Sequence, residues 1–189
     1  SWQVQDRITV MANLMLPCEQ VTNNNLTGKV SSADQVMVFG CNGTVPGLTT
    51  CPGLVLSEAV VPLFEGYTRI AGDLKIDATS DIVSLDHAAL AGIVAIDGDL
   101  VISETGDTLK AIDSETGGLA NRVNVSGEVR ISSNYRLPGV FLPHLERVGG
   151  HIYLYQVGNS ISASTAQPRS PISFPKLVTV GDYVYMSGL

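Results

Sequence analysis

Charge is scarce in this chain of 189 residues: only 15% are Asp, Glu, Lys or Arg, and basic residues number 11 against 18 acidic. A net charge of −7 offers no basic patch, which argues against nucleic acid and anionic membrane as partners. Aromatic residues make up 6%, with a single Trp. No apolar run approaches the ~20 residues that a membrane-spanning helix needs. No signal-peptide pattern opens the sequence, so a secreted form would be the mature one. Cysteine is limited to Cys18, Cys41 and Cys51, an odd and clustered set that permits at most one internal bridge and fits no zinc spacing. Histidine is limited to His87, His144 and His151, scattered without metal-ligand spacing. There is no Gly-x-Ser-x-Gly elbow and no phosphate-binding glycine loop, so neither catalytic residues, nor a metal, nor a cofactor are expected.

What is abundant is Gly (19 residues), with many Val, Ile, Ser and Thr and no sustained helical stripe, which points to an all-β chain. One phrase recurs: an apolar residue, any residue, Gly, any residue, then an apolar–any–apolar triplet. It reads Ile70–Ile76, Ile96–Ile102, Val125–Ile131 and Val148–Leu154, with a fifth copy, Val180–Met186, whose Gly stands one position early. Leu54-Val55-Leu56 reads as a degenerate first copy. The triplets begin at Leu54, Leu74, Leu100, Val129, Ile152 and Val184, at intervals of 20, 26, 29, 23 and 32 residues. Alternation in the triplet is the signature of a short strand with one face buried. The Gly before it supplies a bend or a close backbone approach. Apolar patches with Pro, as in Val61–Phe64, Leu142–Leu145 and Phe174–Leu177, read as corners with Leu and Phe pointing inward. One such unit buries little, whereas stacked units share a continuous core. The expected fold is therefore a single-stranded right-handed β-solenoid of about six irregular coils over residues 54–189, one continuous domain preceded by a lead-in and cap at 1–53.

Stacking the triplets places three columns on the outer face. The first is Asp73, Asp99, Glu128, His151 and Tyr183. The second is Lys75, Val101, Arg130, Tyr153 and Tyr185, and the third Asp77, Ser103, Ser132, Tyr155 and Ser187. The face runs from charged to aromatic, and His151, Tyr153, Tyr155, Tyr183 and Tyr185 form the candidate binding surface, since Tyr is a favoured interface residue. Asp73, Asp77, Asp97 and Asp99 invite comparison with carbohydrate-cleaving β-helices, but the Arg and Lys residues of a polyuronate site are missing beside them, and Asp before a strand is common turn chemistry. An enzyme is not expected. Three sequons, at Asn25, Asn42 and Asn124, make these the candidate N-glycosylation sites and favour an extracellular or cell-surface location.

The phrase Leu142–Leu154, the related Phe174–Gly181 and the stretch Cys18–Thr27 resemble the receptor L-domain family. That family includes the ligand-binding modules of growth-factor and insulin receptors and fungal GPI-anchored cell-wall proteins. The resemblance covers roughly residues 15–189. It implies a disulfide-bridged N-terminal cap, with Cys41 as the partner of Cys18, while pairings that use Cys51 stay open. It also implies that the sheet face contacts ligand. Unlike most members, this chain has no C-terminal cap with further cysteines before Leu189. Two readings of that difference are expected: continuation beyond this segment, or docking of the open end on another subunit, head to tail, which would build a fibre. The function expected is that of a non-catalytic structural or surface protein whose partners are other protein subunits and N-linked glycans. The alternative is a ligand-binding receptor module.

Overall fold

A computed structural model describes residues 8–11, 36–39, 50–106, 108–112, 119, 123–158 and 171–189. Among these residues the secondary structure is mostly strand, with short 3-10 turns at Val61–Phe64 and Ala88–Leu90. The strands, in chain order, are β1 (Ile8–Met11), β2 (Val36–Phe39), β3 (Thr50–Val55), β4 (Arg69–Ile76), β5 (Ala95–Ile96) and β6 (Leu100–Ser103). They continue as β7 (Val123–Val125), β8 (Val129–Asn134), β9 (Val140–Phe141), β10 (Leu145–Val148) and β11 (Ile152–Val157). The last three are β12 (Ile172–Ser173), β13 (Thr179–Val180) and β14 (Val184–Ser187).

Ten of these strands form one parallel sheet in the order β13-β10-β7-β5-β4-β6-β8-β11-β14, with β3 also paired to β4. Two small parallel pairs, β1 with β2 and β9 with β12, complete the strand set. The triplets are paired residue for residue: Leu74 with Leu100, Leu100 with Val129, Val129 with Ile152, and Ile152 with Val184. Their inward residues Leu74, Ile76, Leu100, Ile102, Val129, Ile131, Ile152 and Leu154 are all buried. Full burial of one such side chain is worth about 1.5–3 kcal/mol, so this row of apolar contacts is the main source of cohesion.

The expected single-stranded right-handed β-solenoid with a disulfide-bridged cap is corrected on two counts. First, the phrases after Ile70–Ile76 each contribute two strand segments to one long parallel sheet, and no solenoid is recognised. The apolar residue before the Gly, as in Ile70, Ile96, Val125, Val148 and Val180, is itself a strand residue with a ladder partner. β4 runs through its Gly72 unbroken, whereas later copies split at the Gly into β5 and β6, β7 and β8, β10 and β11, β13 and β14. Second, no disulfide is present among the described residues. Cys51 is a buried free thiol whose Sγ donates to the Arg69 carbonyl at 3.5 Å, so pairings through Cys51 are not formed. Cys18 and Cys41 lie outside the described residues.

The glycines act by close approach. A Cβ at Gly98 would stand 2.6 Å from the Gly72 carbonyl carbon, and one at Gly150 would meet Gly127 at 3.1 Å. The ladder continues through Gly98 N–H to Gly72 O, Gly127 N–H to Gly98 O, and Gly150 N–H to Gly127 O. In the fifth copy Asp182 N–H takes that step to Gly150 O, while Gly181 abuts Gly149, which explains the early Gly.

At the far end of β6, β8, β11 and β14 stands a corner that the residue types do not announce. Glu104, Ser133, Gln156 and Gly188 have φ of 55°, 56°, 52° and 66°, each following its triplet by the same offset. Next to the second corner Asn134 is buried. Its Oδ1 accepts from Thr105 N–H at 3.2 Å and Thr105 Oγ1–H at 2.7 Å, and its Nδ2 donates to Ile102 O at 3.0 Å.

Candidate interaction surface

The outward columns are continuous contacts rather than a row of independent side chains. Asp73 Oδ1 accepts the Asp99 backbone N–H at 3.0 Å, and Asp99 Oδ1 accepts the Glu128 N–H at 2.8 Å. Each carboxylate thus supports the next strand at the bend. Asp73 Oδ2 pairs with Lys75 Nζ at 3.0 Å. The Asp99 N–H bond and then Lys75 hold the Asp73 carboxyl below the usual carboxylate range. Thr79 does the same to Asp77, donating its hydroxyl at 2.6 Å and its backbone N–H at 2.8 Å to Oδ1. Asp97 is engaged by Arg69 at 2.6 Å. Two of the carboxylates weighed for sugar cleavage are therefore held in the ionised form, and a general acid needs the opposite.

Further along, charge gives way to rings. Glu128 Oε1 accepts from Arg130 Nε at 2.6 Å, and Glu128 Oε2 faces His151 Nε2 at 2.5 Å. The Arg130 guanidinium lies over the Tyr153 ring, 5.1 Å from its centroid. Tyr153 stacks on Tyr185 with centroids 5.0 Å apart and planes 10° apart, and His151 stacks on Tyr183 at 4.7 Å and 7°. Parallel register causes this: side chains directly across a ladder stand one strand spacing apart, close to the distance of offset ring stacking. Tyr155 lies beside Tyr153, tilted by 35° at 6.2 Å. The structure therefore brings all five candidate residues, His151, Tyr153, Tyr155, Tyr183 and Tyr185, onto the paired strands β11 and β14 and the bend residues before them.

Among the described residues β14 is the last strand of the ladder. Tyr183 and Tyr185 are 51% and 42% exposed, each with one ring face covered by the preceding layer. Val184 and Met186 occupy positions that are buried in the four preceding layers, yet they are 48% and 44% exposed. Aromatic and apolar exposure thus meet on one end strand.

Other expected sites are placed differently. Asn124 is half-buried within β7, paired between Ala95 and Arg147, and its Oδ1 is buried without a hydrogen-bond partner. Asn25 and Asn42 lie outside the described residues. His144 Nδ1 is 3.2 Å from Lys176 Nζ, and His87 Nε2 is 3.6 Å from Glu58 Oε1, too long for a hydrogen bond. Among the described residues no group of three or more His, Cys, Asp or Glu is placed to hold a metal ion, and no helix is long and apolar enough to cross a membrane.

Sequence reasoning missed the Glu128–Arg130–His151 cluster and Asn134. His151 reaches Glu128, and Asn134 reaches Thr105 and Ile102, only across strands, and the one available signal was the position of Glu128, Arg130 and His151 in the stacked columns. Compared with family models, with curated proteins and with solved structures, the chain gives no match.

Proposed function

We propose that this chain is a non-catalytic extracellular structural or surface protein that works by presenting one sheet face and its end strand for assembly with other protein subunits. The observation that carries this reading is the ring ladder that terminates, half-exposed, on β14, beside the exposed Val184 and Met186. End strands offer unpaired backbone groups to any added strand, and proteins that stay monomeric usually blunt them with Lys, Pro or a bulge. β14, Val-Tyr-Met-Ser, carries none of these. The sequons at Asn25 and Asn42 support the extracellular location. A second reading, a receptor module that binds ligand on the Tyr face, is favoured by the same aromatic cluster and by the L-domain-like phrases.

The mass of the native particle from its source tests the reading. Assemblies larger than one chain, reduced to single chains by Tyr185→Ser with folding intact, are expected. A single chain that captures a soluble ligand, with capture lost in Tyr153→Ser, would favour the receptor reading instead. A single chain indifferent to both substitutions would overturn the two together.

A further inference from the structure

Tyr153 and Tyr185 are direct ladder partners, and their rings lie nearly parallel with centroids 5.0 Å apart. Both stand on the outer face, Tyr153 partly exposed and Tyr185 with 42% of its surface open to solvent. On its other side Tyr153 carries the Arg130 guanidinium, so its ring is held from both sides within stacking distance of its partner. The remaining tyrosines are placed differently. Tyr67 is buried. Tyr135 donates its hydroxyl to Gln156 Oε1 at 2.8 Å. Tyr183 stacks on His151, and Tyr155 is tilted away from Tyr153 at 6.2 Å. Among the described residues, Tyr153 and Tyr185 are thus the two phenols that stack face to face.

From this geometry we infer that Tyr153 and Tyr185 form an oxidative coupling site, at which a peroxidase using hydrogen peroxide joins the two rings as dityrosine within one chain. Each phenol gives up one electron and one proton and becomes a tyrosyl radical. The peroxide takes both electrons and both protons and leaves as two molecules of water. The radicals then pair through a ring carbon next to each hydroxyl-bearing carbon, forming one C–C bond. The hydrogen on each of those carbons moves to the oxygen of its own ring, which restores both phenols. The product differs from the starting chain only by the loss of two hydrogen atoms.

Placement favours this product over coupling between molecules. Radicals on separate chains have to meet by diffusion, whereas these rings are already fixed side by side. Bond formation requires the rings to tilt toward each other, and on the solvent face no core packing opposes that motion. The bond ties β14 to β11 and closes a loop between residues 153 and 185, which restricts the unfolded chain as a disulfide does. It involves neither a second chain nor a bound ligand, so it stands apart from the assembly reading above.

Treatment of the purified chain at low micromolar concentration with a peroxidase and limiting hydrogen peroxide tests this, read by peptide mass mapping and dityrosine fluorescence. The expected product is a single chain in which the peptides carrying Tyr153 and Tyr185 are joined, with a raised urea midpoint. Tyr153→Phe and Tyr185→Phe keep a stacked ring and remove the phenol. Each is expected to abolish the joined peptides with the circular dichroism unchanged, while Tyr155→Phe and Tyr183→Phe retain them. The same treatment in concentrated urea is expected to lower the yield of this product by about tenfold or more, because the fixed proximity is gone. That comparison uses the unaltered sequence and holds even where a variant folds poorly. Folded chain that forms no dityrosine, joined peptides only between chains, or equal yields with and without urea would each overturn the inference. Dityrosine that persists undiminished in Tyr153→Phe would do the same.

Discussion

Asp99 stands on Asp73: the carboxylate of the earlier residue accepts the backbone N–H of the later one, and Asp99 repeats the step toward Glu128. An acidic side chain at a glycine bend here serves the backbone of the next layer. Removing it exposes that dependence. Asp99→Ala leaves the Glu128 N–H without its acceptor, at a cost of about 1–3 kcal/mol, read as a lowered midpoint in urea. Asp99→Asn keeps an acceptor oxygen and is expected to recover most of the loss.

The pH dependence has a definite sign. Asp73 has its carboxyl lowered, first by the Asp99 N–H and then by Lys75. Its stabilising contribution is therefore complete above the unfolded carboxylate value of about 4, and is lost as pH falls through the lower folded value. Lys75 is raised by Asp73, so its share is complete below about pH 10 and is lost as pH rises through the higher folded value. Both side chains are more than one-third exposed, which keeps the effect small. Urea titrations of wild type and Asp73→Asn between acidic and neutral pH should converge at the acidic end. Divergence there would contradict the assignment.

Asn134 is the polar group whose loss should be felt most. It is 1% exposed and makes three hydrogen bonds that tie the corner after β8 to Thr105 and Ile102. Asn134→Ala strands buried partners and is expected to cost about 3 kcal/mol, more than any single exposed Tyr→Ser change on β14. Equal unfolding midpoints for the two kinds of variant would refute that ranking.

Two glycines separate space from backbone angle. At Gly98 a Cβ would meet the Gly72 carbonyl carbon at 2.6 Å and Asp73 N at 2.8 Å, and both are backbone atoms that cannot step aside. At Gly106 nothing lies within 4 Å, but φ is +60°. Gly98→Ala is expected to prevent folding or to cost well over about 3 kcal/mol, and Gly106→Ala about 1 kcal/mol. Thermal unfolding of the pair distinguishes crowding from strain.

Cys51 is fully buried, and burial pushes its thiol up to about 12. Iodoacetamide at mildly alkaline pH should therefore spare Cys51 in the native protein and label it once the chain unfolds. Peptide mapping reports it separately from the other two cysteines. Rapid native labelling of Cys51 would be inconsistent with this core.

The parts of this architecture visible in the residues are those with a period. The triplets announce themselves because apolar alternation requires one buried face, and the intervals between Leu74, Leu100, Val129, Ile152 and Val184 are those of the paired register. The aromatic cluster was visible for the same reason, since columns follow from register. The two-segment character of the later phrases was not visible: a single apolar residue before a Gly, such as Ile96, looks like punctuation rather than a strand. The left-handed corner was hidden more thoroughly. Gly188 is the only one of its four residues whose type suggests it, whereas Glu104, Ser133 and Gln156 adopt it at the same offset after their triplets. Asn124 shows the limit of reading a modification signal from spacing alone, because its tripeptide folds into a paired strand.

That recurring left-handed corner has a consequence for how the molecule tolerates change. Glu104, Ser133, Gln156 and Gly188 are separated by 29, 23 and 32 residues, yet each leaves its strand at the same point and with the same turn. The sheet therefore keeps its register whatever length of chain intervenes before the next phrase. Peptide tags or foreign epitopes placed between phrases would be spaced along the sheet at multiples of the strand separation, so the fold can serve as a ruled scaffold for display.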